Sequence, residues 1–147
     1  MWVKDSLNGK EFEVKSKVVI NATGVFTDAI MKMDDAKHES IISPSQGIHL
    51  VVDKEFLPGD TAIMIPRTDD GRVLFAVPWY NKVILGTTDT PVENILAEPI
   101  PLKTEIEFIL KHIGRYLSKD PQLSDVRSMF AGLRPLVKGK SKKTAAL

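Results

Sequence analysis

Four short apolar segments lie between Gly47 and Thr88, each cut off from the next by turn-forming residues. This pattern constrains the chain more than any other feature. The segments are Gly47–Asp53, Thr61–Pro66, Arg72–Pro78 and Lys82–Thr88, and the breaks hold Pro58-Gly59-Asp60, Asp69-Asp70-Gly71 and Tyr80-Asn81. Pro, Gly, Asn and Asp punctuate strands because they supply the backbone angles and local bonds a turn needs. Segments this short cannot be long helices, and the gaps suit antiparallel hairpins. The last two segments lie only a few residues apart and should pair with each other.

A single stretch has helical period. Ile106, Ile109, Leu110, Ile113 and Leu117 fall at i, i+3, i+4 and i+7 spacing, which predicts an amphipathic helix over 104–118. Thr104-Glu105-Ile106-Glu107 reads as its capping box, and Asp120-Pro121 stops it. Before it runs a loop, Pro91–Pro101, containing three prolines. Val126–Ala131 is a last strand, leading into Gly132-Leu133-Arg134-Pro135-Leu136. The expected fold is α+β: a mainly antiparallel sheet with one long helix packed on it.

The first 24 residues read differently. Asn8-Gly9 suggests a type I′ hairpin turn, and Glu11–Lys17 alternates like a half-buried strand. Val18-Val19-Ile20 suits a strand covered on both faces. It runs into Asn21-Ala22-Thr23-Gly24, small residues that let backbone approach a ligand or a helix. Thr27 is positioned to cap a short helix over Asp28–Met33, followed by a charged loop, Asp34–Glu39. The segment Lys138–Lys143 carries four lysines in six residues and reads as a solvated tail.

Composition excludes several classes. With 43% hydrophobic and 27% charged residues the chain is globular, not disordered. A net charge of +1 gives no basic surplus for nucleic acid. The chain has no cysteine, hence neither a disulfide framework nor thiol chemistry, and suits a reducing, cytoplasmic setting. No apolar run reaches the roughly 20 residues a membrane helix needs.

Few residues suggest chemistry on their own. P-loop, H-E-x-x-H, G-x-S-x-G and G-x-G-x-x-G motifs are absent, and three scattered histidines suggest no metal site. His38 and His112 sit among charges and read as surface groups. His49 interrupts the apolar run Ile48–Val52; it is either an outward-pointing strand residue or a ring facing a pocket, where it could move a proton. Gly86-Thr87-Thr88-Asp89 reads as a turn whose hydroxyls bond backbone N–H groups. Arg134, set between Leu133 and Pro135, is either a core-edge ion pair or a clamp for a phosphate or carboxylate. Arg67 is a weaker version of the same idea.

Five segments together resemble the flavin-dependent glycerol-3-phosphate dehydrogenases: Val19–Gly24, Gln46–Val52, Val77–Trp79, Leu85–Thr90 and Ala131–Leu136. They occur in that family's order. The resemblance implies an interior piece of such an enzyme, with residues 1–24 ending an FAD-binding domain, 25–138 forming a substrate-binding domain and 139–147 a tail. It implies a parent that oxidises sn-glycerol 3-phosphate to dihydroxyacetone phosphate by hydride transfer to FAD, then reduces a quinone or another acceptor. On this reading Arg134 binds substrate, His49 is catalytic and substrate-binding, and Ala22, Thr23 and Gly24 lie along the cofactor. Ile48 stands where the family usually has Ser, and Phe26 where it often has Trp. The family's pyrophosphate-binding turn is missing, so this stretch alone is expected neither to hold FAD nor to be active. A cytoplasmic parent, peripheral to the inner face of the membrane, and self-association of the piece through unpaired sheet edges complete the expectation. A related amino-acid or sarcosine oxidase and a stand-alone binding module are the alternatives.

Overall fold

The computed structural model describes residues 1–138, and the Lys-rich segment 139–147 lies outside them. The fold is α+β, as the patterning predicts. Its centre is strand β3 (Ile42–Asp53), flanked on one side by β6 (Lys82–Gly86) and β7 (Thr90–Pro91) and on the other by β8 (Ser128–Val137). Beyond β6 lie β5 (Leu74–Trp79) and β4 (Ile63–Ile65), and every pairing is antiparallel. The β5–β6 hairpin turns at Tyr80-Asn81 as expected, with Tyr80 in the left-handed region at φ 53°.

Strand alternation gives the sheet two unlike faces. Ile48, Leu50 and Val52 of β3 point one way, together with Ile65, Leu74, Ala76, Val83 and Leu85. Helix α2 (Lys103–Ile113) covers them with Ile109 and Ile113, and Phe56 closes the core. Ile106, Leu110 and Leu117 pack around its margin, so the predicted stripe does face the sheet. The helix ends earlier than expected: Gly114–Tyr116 is a tighter 3-10 turn. Its cap is Leu102 rather than Thr104, and Glu105 reaches back 2.9 Å to accept the Leu102 N–H, half of a capping box.

The opposite face is set by the same register. His49 pairs with Gly86 and Phe130, and Phe75 pairs with Gly86 from the other side. Met64, Phe75, Trp79 and Phe130 are exposed on it. Among the described residues no helix covers them, and no helix is long and apolar enough to cross a membrane.

The N-terminal region departs most from expectation. β1 (Trp2–Lys4) and β2 (Glu11–Glu13) do form a hairpin, separate from the main sheet. Its turn is not type I′, because Gly9 has positive φ (73°) but Asn8 does not. The Asp5 carboxylate closes the loop instead, accepting from the Leu7 N–H and the Asn8 amide. β2 is exposed throughout, not half-buried. Val18–Ile20 is exposed and in no strand, for composition favours a ladder only where a partner strand supplies the bonds.

Thr27 starts α1 (Thr27–Asp34) but caps nothing; its hydroxyl donates to the Gly24 carbonyl. Asp28 does the tethering, accepting from the Ser40 hydroxyl and the Ile41 and Ile42 N–H groups at the entry to β3. Those bonds, Ser40 first, hold its carboxyl well below the usual range against the opposing effect of burial. His38 bridges to the same carboxylate at 3.4 Å, so it is partly buried rather than a free surface group.

Candidate functional site

Two residues singled out from sequence come together on the open face of the sheet. His49 projects from the middle of β3, and its ring stacks on Phe130 with centroids 5.0 Å apart. The ring lies over Gly86, where a Cβ would collide with it. Arg134 of β8 reaches diagonally across β3 and lies over Gly47 in the same way. Each large polar group is therefore seated by a glycine on the neighbouring strand.

Adjacent residues hold both groups. Gly86 makes room for the imidazole, while the Thr87 hydroxyl accepts from Arg134 Nη2 at 2.5 Å. Arg134 Nη1 donates to the Thr88 carbonyl at 2.9 Å and stands 3.8 Å from Asp89. Ser45 in turn bonds Asp89. Sequence offered no acidic neighbour for Arg134, because Asp89 lies far along the chain, in the bend between β6 and β7. Among the described residues, three of the five guanidinium N–H groups have no hydrogen-bond partner and can meet another anion.

The two groups feel each other electrically. Burial disfavours the imidazolium form of His49, and the Arg134 charge adds to this, so its pKa lies below the ordinary 6.5. At neutral pH His49 is an uncharged ring able to accept a proton.

Beside Arg134 opens a cleft of about 630 Å³, lined by Asp70, Gly71, Arg72, Val73, Phe75, Thr87, Thr88, Asp89, Arg134 and Leu136. Its far wall is the loop before β5. There Arg72 packs over the Phe108 ring, 3.7 Å from the centroid, and bonds Asp70. Burial tends to raise the Asp70 pKa, but the bonds from Arg72 and Thr68 outweigh it and bring it to about 2. Arg67 is exposed and does not line this cleft. His112 is not the surface residue its charged neighbours suggested: it is buried against Phe108 and reaches Asp69 at 3.2 Å.

Behind the cleft lies a polar cluster that sequence reasoning missed. Thr88 is wholly buried; its hydroxyl accepts the Ile48 N–H at 3.0 Å and donates to Glu105 at 3.0 Å. Thr90 and Gln46 also donate to Glu105, at 2.7 and 2.8 Å. The turn reading of Gly86–Asp89 captures the bond to a backbone N–H but not the link to α2. In the Thr104–Glu107 box read from sequence the acid is Glu107, so the sequence marks neither task of Glu105.

Ala22, Thr23 and Gly24 form an accessible strip tied to α1 by Asn21, whose amide donates to the Thr27 carbonyl. Gly24 has φ +59°, with open space where a Cβ would stand, and the turn it begins packs on β8. Small, accessible residues and a left-handed glycine let the flat ring of a flavin approach the backbone. They do not suit its pyrophosphate, which needs a glycine-rich turn opening a helix. The residues therefore fit one end of that cofactor.

Comparison with known proteins bears on the fold and the family. The family model described as "FAD dependent oxidoreductase" matches residues 2–143. The chain is 47% identical over 136 residues to the mitochondrial glycerol-3-phosphate dehydrogenase of Mesocricetus auratus, covering 91% of this chain and 19% of that protein. The Homo sapiens enzyme of that name is 46% identical over the same shares. The probable mitochondrial enzyme of Caenorhabditis elegans is 44% identical over 144 residues, 96% of this chain and 20% of that one. The chain thus spans about a fifth of the length of these relatives. Among solved structures, glycerol-3-phosphate dehydrogenase from Bacillus halodurans complexed with FAD superposes with a TM-score of 0.83 at 34% identity, covering 93% of this chain and 28% of that one. By this family-model match over most of its length the chain belongs to the FAD dependent oxidoreductase family.

Proposed function

We propose that this chain supplies the substrate-facing sheet of a flavoenzyme that oxidises sn-glycerol 3-phosphate to dihydroxyacetone phosphate. The observation that carries the reading is the pairing of His49 and Arg134 on the open face, one seated over Gly86 and the other bonded by Thr87. Residues 1–24 belong, on this reading, to the cofactor domain and 25–138 to the substrate domain. The relatives' names support the choice of substrate.

Arg134 binds the phosphate with the N–H groups that Thr87 and Thr88 leave free. That contact fixes one end of a small substrate and orients the other towards His49. The neutral imidazole takes the proton of the C2 hydroxyl. When bound along Ala22–Gly24, FAD supplies the acceptor for the C2 hydride, with a quinone or another acceptor downstream. The exposed apolar residues beside His49 keep water from the reacting carbon once the face is covered. A lipid-soluble quinone implies an enzyme peripheral to the inner face of a membrane, working from the cytoplasmic side. In isolation the outer edge of β8, unpaired among the described residues, and the open apolar face favour self-association.

The test is anaerobic mixing of the complete flavoenzyme with sn-glycerol 3-phosphate. Bleaching of the flavin absorbance is expected with this substrate and not with glycerol or a neutral amino acid. Bleaching by the amino acid alone would replace the phosphate reading with a carboxylate one.

A further inference from the structure

Glu105 is 3% exposed and sits on α2, on the far side of the sheet from His49 and Arg134. It accepts four hydrogen bonds: from Thr88 and Thr90 on one oxygen, and from Gln46 and the Leu102 N–H on the other. One of these would cap a helix; four exceed that need. Three come from β3, the bend after β6 and the first residue of β7, the backbone that shapes the Arg134 seat.

The path from Glu105 to Arg134 has two bonds and one residue. Thr88 donates its hydroxyl to Glu105 and offers its carbonyl to Arg134 Nη1. The Thr88 hydroxyl also accepts the Ile48 N–H, so it cannot rotate without leaving that donor unpaired. We propose that Glu105 is a positioning residue for Arg134. Through Thr88 it fixes the bend that aims the guanidinium into the cleft, and so sets affinity for the substrate's phosphate without touching it. The proposal rests on the reading of Arg134 as the phosphate ligand.

Glu105→Gln tests it with almost no change in volume. One end of the new amide must donate. Leu102 N–H cannot turn to accept, so the NH2 faces Thr88 and Thr90, reversing the bond that holds Thr88. In the complete flavoenzyme, Glu105→Gln should raise KM for sn-glycerol 3-phosphate about 5- to 20-fold while kcat changes less than about twofold. The Kd for inorganic phosphate, read by calorimetry, should weaken by the same factor. Thr88→Val, which keeps Glu105 and the backbone carbonyl, should repeat the pattern and serves if Glu105→Gln fails to fold.

The decisive measurement is the cycle with Arg134→Ala. If Glu105 acts through Arg134, adding Glu105→Gln to Arg134→Ala raises KM no further. Equal, additive effects in both backgrounds would overturn the positioning role and leave only a structural one. An Arg134→Ala enzyme with unchanged phosphate Kd would overturn the phosphate reading, and this one with it. Arg134→Ala weakening phosphate while Glu105→Gln and Thr88→Val leave it unchanged would overturn this proposal alone.

Discussion

The guanidinium of Arg134 occupies the space that a Cβ on Gly47 would need. Gly47 is buried on the central strand and has ordinary strand geometry, so its lack of a side chain serves the arginine rather than the backbone.

Gly47→Ala should therefore expel the arginine and spare the fold. The obstructing atoms are the far end of a flexible side chain, which can move where backbone could not. The loss of a charge-assisted bond of about 1.5–3 kcal/mol predicts a fall in kcat/KM of roughly 10- to 100-fold in the complete enzyme. The Tm should drop by no more than about 4 °C. A near-normal kcat/KM would mean that Arg134 does its work from another position.

His49 makes a prediction about pH. Burial and then the Arg134 charge lower its pKa, so its unprotonated form persists on the acid side of neutrality. Protonation removes the base; hence kcat/KM should hold through neutral pH and fall only below 6.5. Arg134→Ala removes the second cause and leaves the first. The acid limb should then move part of the way up. A limb that stays in place would show that the two groups do not interact across Gly86 and Thr87.

The core gives a stability prediction. Ile109 is fully buried between α2 and the sheet, whereas Ile106 lies at its margin. Ile109→Ala should cost about 2–5 kcal/mol by urea denaturation, and Ile106→Ala clearly less. Equal costs would mean that the helix sits rotated about its axis.

These elements differ in how far sequence exposes them. The strands around the core were legible because β-branched alternation and turn residues carry their own period. β3 nevertheless begins at Ile42 rather than Gly47, because Ser43-Pro44-Ser45-Gln46 has no apolar alternation. It is held by pairing: Pro44 lies opposite Pro135, two residues with no N–H facing where neither can donate. Val18–Ile20 fails in the opposite sense, having strand composition without a partner strand. His49 and Arg134 stood out because each interrupts an apolar run. Their seats could not, since Gly47, Gly86, Thr87 and Asp89 gain meaning only through register. The charges around His112 point to the surface, yet its partners, Phe108 one turn away and Asp69 on a distant loop, are not its sequence neighbours.

Arg134 itself separates two kinds of arginine. It has an acidic partner, Asp89 at 3.8 Å, and two further bonds to Thr87 and Thr88, so a purely structural role is physically coherent. Yet the side chain is 37% exposed at the edge of a cleft, and surface pairs at such distances contribute little stability, typically below about 1 kcal/mol. A substrate phosphate offers a closer, doubly charged partner. In the complete enzyme, Arg134→Ala should lower kcat/KM by roughly 10- to 100-fold or more, while Tm shifts only slightly. Arg134→Lys keeps the charge but cannot reach Thr87, Thr88 and an anion with one planar fork, so it should fall between Ala and wild type. Asp89→Asn separates the partners further: removing the competing carboxylate should tighten phosphate binding if Arg134 serves substrate. If Arg134 serves Asp89, both Arg134→Ala and Asp89→Asn would lower Tm by several degrees, and kcat/KM of the folded enzyme would stay near normal.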